Sequence, residues 1–166
     1  MALSTADSKG RPSVRIVLLK GAEETGFIFY THRASRKGRQ LEENPRAALC
    51  FFRDASLEQV LIEGSVRPVS KSQSDAYWIT RPRESQLGAW ASHQSAPLDR
   101  RETLLRRFAA YKKKFRGRSI PRPPGWIGYR LLPDRIEFWK AQPFRLNERI
   151  LYQNKKGRWT KTLLYP

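Results

Sequence analysis

The chain has one cysteine, Cys50, and two histidines, His32 and His93, among its 166 residues. A lone thiol excludes an internal disulfide, and two distant histidines without a cysteine cluster leave no metal-ligand pattern. No apolar run approaches the ~18 residues of a membrane span. The opening MALSTADSKGRPSVR lacks a basic segment followed by an apolar one, so no secretory signal is read. These absences together place the protein in the cytoplasm and away from membranes. Also missing are G-x-S-x-G, a P-loop and G-x-G-x-x-G, which removes the common signatures of serine hydrolysis and nucleotide binding. Acidic residues are few as well: 15 Asp and Glu stand against 33 Lys and Arg, a net charge of +18.

What is present suits one folded domain over residues 1–166, with 39% hydrophobic and 11% aromatic residues. The basic excess is concentrated: ten Lys or Arg and a single acid, Glu102, fall between Arg100 and Arg122. Such a surface attracts anions in general. It comes with no helix-turn-helix spacing, zinc pattern or RNP-like aromatic motif, so specific nucleic-acid recognition is not expected. Phosphorylated small molecules are anions too.

PSVRIVLLKG (12–21), GFIFYT (26–31), RAALCFFR (46–53) and EQVLIEGSVRPV (58–69) read as strands, the last with Val60, Ile62, Gly64 and Val66 on one face. Cys50 is expected to be buried in the third of these. Helices are expected at 35–44 from an N-cap at Ser35, at 70–80 from Ser70, and at 99–115, where Asp99 and Glu102 form a capping-box pattern. Leu104, Leu105, Phe108, Tyr111 and Phe115 make the core stripe of the third helix. Strands at 126–133, 135–141, 149–154 and 159–165 close the chain. Many short antiparallel strands with few helices argue a mainly β (α+β) fold, a small β-barrel with peripheral helices.

Two stretches carry chemistry. THRASRKGRQ sets Ser35, Arg36 and Lys37 at a helix start, with Thr31 just before it, which suits a phosphate but also an ordinary solvated helix end. SVRIVLLKG places Arg15 and Lys20 in one apolar strand, on opposite faces if the strand is regular. One site uses both only through a bulge, a strong twist or two subunits.

RIVLLK, FYTHRASRKGRQLEENP, EQVLIEG, YWITRPRESQLGAWASHQS, PPGWIGYRL, IEFWKAQPFRLNERILY and LLYP, in this order, resemble the pyridoxamine 5′-phosphate oxidase family over nearly the whole chain. The resemblance implies an FMN-binding split barrel working as a homodimer with FMN at the interface. It implies oxidation of pyridoxamine or pyridoxine 5′-phosphate to pyridoxal 5′-phosphate, with O2 as acceptor and H2O2 as product. By match to the family's motifs, Arg15, Ile16, Val17, Leu18, Leu19, Lys20, Tyr30, Thr31, Arg36, Lys37, Gln59, Gln94, Ser95, Trp139 and Arg149 would hold FMN. Tyr77, Arg81 and Ser85 would clamp the substrate phosphate. Lys20, Arg145 and Asn147 would meet the rest of the substrate. No dedicated general base is implied. Spacing four would put Tyr77, Arg81 and Ser85 on one helix face, although Pro82 argues for a break there.

Two departures from the pattern stand out. Asn147 occupies the place of a histidine in the family's Arg-Leu-His-x-Arg motif, and Asn carries no charge near neutral pH. The chain also opens where the family's first barrel strand opens, without the usual preceding segment. The alternatives are a split-barrel relative acting on another aromatic metabolite, as in phenazine biosynthesis, and a non-catalytic binder of FMN or pyridoxal phosphate.

Overall fold

Alternation of inward apolar and outward polar residues organises most of the chain into strands. The computed structural model describes all 166 residues. Its elements in order are β1 (Ala2–Ala6), β2 (Pro12–Ile16), β3 (Gly21–Glu23), β4 (Gly26–His32), α1 (Arg36–Glu43), β5 (Arg46–Arg53), β6 (Glu58–Pro68), α2 (Lys71–Thr80), α3 (Arg83–Ala91), α4 (Arg101–Lys114), β7 (Trp126–Lys140), β8 (Glu148–Lys155) and β9 (Arg158–Leu163). Contacts divide them into two compact units. One comprises Met1–Phe29, Gln40–Arg67 and Tyr129–Pro166, the other Tyr30–Arg39 and Pro68–Gly128.

The first unit is built on a nine-stranded sheet in the order β2-β1-β5-β6-β7-β4-β3, with β8 and β9 continuing from β7. Register is fixed by burial: Leu3 lies opposite Leu49, and Leu49 opposite Ile62, all three on the buried face. The sheet is an open path, but its two ends are joined along the chain. β2 pairs with β1, β3 pairs with β4, and only residues 17–20 lie between. Within that link the Val17 amide donates to the Met1 carbonyl and the Lys20 amide to the Ile28 carbonyl. One stretch thus leaves the first partner strand and joins the last, the geometry of a split barrel. At Gly64 a Cβ would lie 2.0 Å from the Leu132 carbonyl oxygen, so β6 requires glycine where it meets β7.

The second unit has an aromatic core of Trp78, Leu87, Phe115, Ile120 and Trp126. Ser70 caps α2 by accepting from the Gln73 amide, and Ser35 caps α1 by accepting from the Gly38 amide. No helix is long and apolar enough to cross a membrane.

Several expectations need correction. β1 was implied by the family resemblance but not by local pattern: ALSTA has a single large apolar residue, and its alternation is completed by the buried hydroxyl of Thr5. The strand expected over 12–21 stops at Ile16, so the two-face argument for Arg15 and Lys20 does not apply. The strands expected at 126–133 and 135–141 are one strand, because Pro133 fits extended backbone. α4 begins at Arg101 without a side-chain cap, and Asp99 instead accepts from the Thr103 hydroxyl. Leu105 faces solvent rather than core, and Cys50 is half-buried.

Candidate functional site

In the second unit, β4 delivers Thr31 to the start of α1. The buried Thr31 hydroxyl lies 3.3 Å from the Ser35 hydroxyl, receives the buried Lys37 ammonium at 3.3 Å, and donates to Gln94 Oε1 at 3.1 Å. Gln94 Oε1 also takes the His32 amide. Three assigned residues, Thr31, Lys37 and Gln94, and the helix-capping Ser35 therefore meet within one hydrogen-bonded group. α1 approaches so closely that a Cβ on Gly38 would lie 2.3 Å from the Arg33 carbonyl oxygen. Hydroxyls, a buried ammonium and a helix start suit an anion such as the FMN phosphate. Arg36 is exposed at the helix start, and Ser95 takes a left-handed φ of 69°.

The same unit holds Tyr77 and Arg81. Tyr30 stacks on Tyr77 at 4.1 Å and on Trp126 at 5.0 Å between centroids. The Arg81 guanidinium lies 5.0 Å from the Trp126 ring and 5.1 Å from Trp78. Its Nη1 is buried and has no hydrogen-bond partner. Desolvation lowers the Arg81 pKa, though an arginine remains charged. The three-residue face expected for Tyr77, Arg81 and Ser85 is not one helix: α2 ends at Thr80, Arg81 is extended, and Pro82 starts α3, which carries exposed Ser85. The proline both removes a helical donor and pushes Arg81 out of helical backbone.

In the first unit, Arg15 is half-buried and donates to the Leu3 carbonyl, the Thr5 hydroxyl at 2.7 Å and the Ser13 hydroxyl at 2.5 Å. Thr5 and Ser13 in turn donate to Gln40. Ile16, Leu18 and Lys20 are exposed, whereas Val17 and Leu19 are half-buried. Gln59 Oε1 lies 3.6 Å from the Cys50 sulfur. Trp139 and Arg149 are direct cross-strand partners on β7 and β8. Glu137, two residues before Trp139, is 3% exposed and accepts from Arg149 Nε at 2.7 Å and Arg135 Nη2 at 3.1 Å. Its hydrogen bond from Arg149, then the Arg149 and Arg135 charges, hold its carboxyl below the usual range, and the same contact raises Arg149. The sequence reading missed Glu137. Its signal was a carboxylate in IEFW at strand spacing from Trp139.

Arg145 sits in a short 3-10 turn, Pro143–Arg145, where Phe144 and Arg145 both have left-handed φ, 58° and 61°. Asn147 Oδ1 accepts from the Gln142 amide at 3.1 Å, closing that turn.

This architecture is that of the FMN-binding split-barrel class. A protein of Nostoc punctiforme described as pyridoxamine 5′-phosphate oxidase-related and FMN-binding shares the fold with a TM-score of 0.77 at 19% identity, over 99% of this chain and 87% of that one. Residues 1–115 match the pyridoxamine 5′-phosphate oxidase family, and residues 126–166 match the pyridoxine 5′-phosphate oxidase C-terminal dimerisation region. The pyridoxine/pyridoxamine 5′-phosphate oxidase of Alkalilimnicola ehrlichii is 56% identical over 99% of this chain and 84% of its own length. That of Rubrobacter xylanophilus is 51% identical over 100% and 76%. PhzG of Burkholderia lata, solved with tetrahydrophenazine-1-carboxylic acid, is 38% identical with a TM-score of 0.94, covering 99% of this chain and 81% of that one. The chain belongs to the pyridoxamine 5′-phosphate oxidase family.

Proposed function

We propose that the protein is an FMN-dependent oxidase converting pyridoxamine 5′-phosphate and pyridoxine 5′-phosphate to pyridoxal 5′-phosphate, working as a cytoplasmic homodimer. The observation that carries this reading is Arg81. A buried guanidinium nitrogen with no partner is costly, and a phosphate dianion satisfies it. Tyr77 and Ser85 complete the clamp in this reading, and Arg145 and Asn147 orient the far side of the vitamer. The group around Thr31, Arg36, Lys37 and Gln94 would hold FMN, as would Arg15, Gln59, Trp139 and Arg149. When bound, the flavin supplies the two-electron redox chemistry, with O2 as acceptor and H2O2 as product. The protein's share is placement and the exclusion of water, which needs no dedicated base among its side chains.

A phosphate contact from a charged donor contributes about 1.5–3 kcal/mol. Arg81→Ala should therefore raise KM for pyridoxamine 5′-phosphate about 10- to 100-fold. It should leave turnover of unphosphorylated pyridoxamine unchanged. Equal losses with both substrates would remove Arg81 from the phosphate clamp.

A second reading rests on Asn147, whose side chain is committed to the Gln142 amide. Together with the likeness to PhzG, it favours a relative that oxidises a different aromatic metabolite. Comparing flavin reduction by pyridoxamine 5′-phosphate and by a reduced phenazine carboxylate separates the two.

A further inference from the structure

Three donors converge on the side-chain carbonyl oxygen of Gln40, a residue of α1 that is 5% exposed. The Thr5 hydroxyl lies 2.6 Å away, the Ser13 hydroxyl 2.7 Å and Arg15 Nη2 3.5 Å. A guanidinium only donates, so the amide atom facing it is the oxygen. Strand register produces the convergence: Leu3 pairs with Arg15 and Thr5 with Ser13, which sets all four on one face of β1 and β2. Each hydroxyl has a single proton. Thr5 and Ser13 give theirs to Gln40, and only lone pairs remain for Arg15. Arg15 Nη1 accordingly donates to Thr5 at 2.7 Å and to the Leu3 carbonyl at 3.1 Å, and Nη2 donates to Ser13 at 2.5 Å. Every acceptor in this network is neutral, so it orients the guanidinium without cancelling its charge.

We propose that Gln40 is a positioning residue for the flavin, on the reading that Arg15 holds FMN. It acts through Arg15: its oxygen fixes the two hydroxyl protons, and the hydroxyl lone pairs fix the guanidinium in the orientation that meets the cofactor. Thr5 is 3% exposed, so water does not readily take the place of Gln40 as its acceptor. With Gln40 gone, either hydroxyl can turn its proton toward Arg15, and the guanidinium loses its fixed acceptors.

The test is a double-mutant cycle read as FMN affinity, by titrating FMN into the flavin-free protein and following flavin fluorescence. Arg15→Ala should weaken binding about 10- to 100-fold, the loss of a charge-assisted contact. Gln40→Leu, which keeps the volume and removes the acceptor, should weaken it about five- to tenfold. In the Arg15→Ala background, Gln40→Leu should add less than about twofold, because nothing is left to position. Thr5→Val together with Ser13→Ala removes the relays and leaves Gln40. This pair should reproduce the Gln40→Leu loss and have no effect without Arg15, and it carries the test if Gln40→Leu does not fold. Unchanged affinity in Arg15→Ala would overturn both the assignment of Arg15 to FMN and the role of Gln40. A loss with Arg15→Ala but none with Gln40→Leu or the relay pair would keep that assignment and overturn the positioning role. Equal losses from Gln40→Leu with and without Arg15 would make Gln40 a folding residue and overturn the positioning role as well.

Discussion

Glu137 illustrates how a single buried carboxylate can fix the arginines of two paired strands. It ties Arg149, the cross-strand partner of Trp139, to Arg135. Glu137→Gln should cost about 1–3 kcal/mol in stability and weaken FMN binding, as read by denaturant unfolding and flavin titration. The pH dependence has a defined sign. Because the folded pKa of Glu137 is depressed, its contribution is complete above its ordinary value of 4.5 and is lost as pH falls through the lower folded value. Flavin release on acidification should thus begin below pH 4.5, and the Gln variant should lack that step. Gly38 gives a second test at this scale. With 2.3 Å to a carbonyl oxygen, Gly38→Ala forces α1 away from the 32–33 backbone and should lower the unfolding free energy by about 1–3 kcal/mol. Thr31 and Lys37, singled out in the sequence for their hydroxyl and charge, do meet in one hydrogen-bonded group. Glu137 was not singled out, because strand alternation shows which face a carboxylate shares but not that two arginines converge on it.

Among the elements, the serine caps and the proline break were read correctly. Ser35 and Ser70 cap the helices they were expected to cap, and Pro82 breaks the chain between α2 and α3. At residues 17–20 local pattern was overruled by long-range pairing. Residues 17–20 look like strand, yet they pass between β1 and β4 as partners. Asp99 and Glu102 look like a capping box, yet the helix begins one residue later than that box requires. The turn at 143–145 was invisible, since left-handed Phe144 and Arg145 carry no glycine or asparagine signal. Asn147 closes that turn through Gln142. Asn147→Ala should therefore raise KM several-fold with little change in global stability, whereas a purely chemical role would lower kcat instead.

At the scale of the molecule, β2, the 17–20 link and the C-terminal end depart from the rule of apolar inside and polar outside that the other strands follow. Val14, Ile16 and Leu18 project into solvent, and Leu163 and Tyr165 are 74% and 94% exposed. Exposed apolar residues of this kind suit association, and Leu163 and Tyr165 lie in the region matching a dimerisation module. Leu163→Glu should convert a dimer to a monomer in sedimentation and reduce flavin affinity. The central claim is the oxidase reaction itself, and its most direct test is anaerobic. The FMN-loaded protein is freed of excess flavin, mixed with pyridoxamine 5′-phosphate, and followed by the flavin's visible absorption band. Bleaching, reversed by air with release of pyridoxal 5′-phosphate, is the predicted result. A flavin that stays bound and yellow would contradict it.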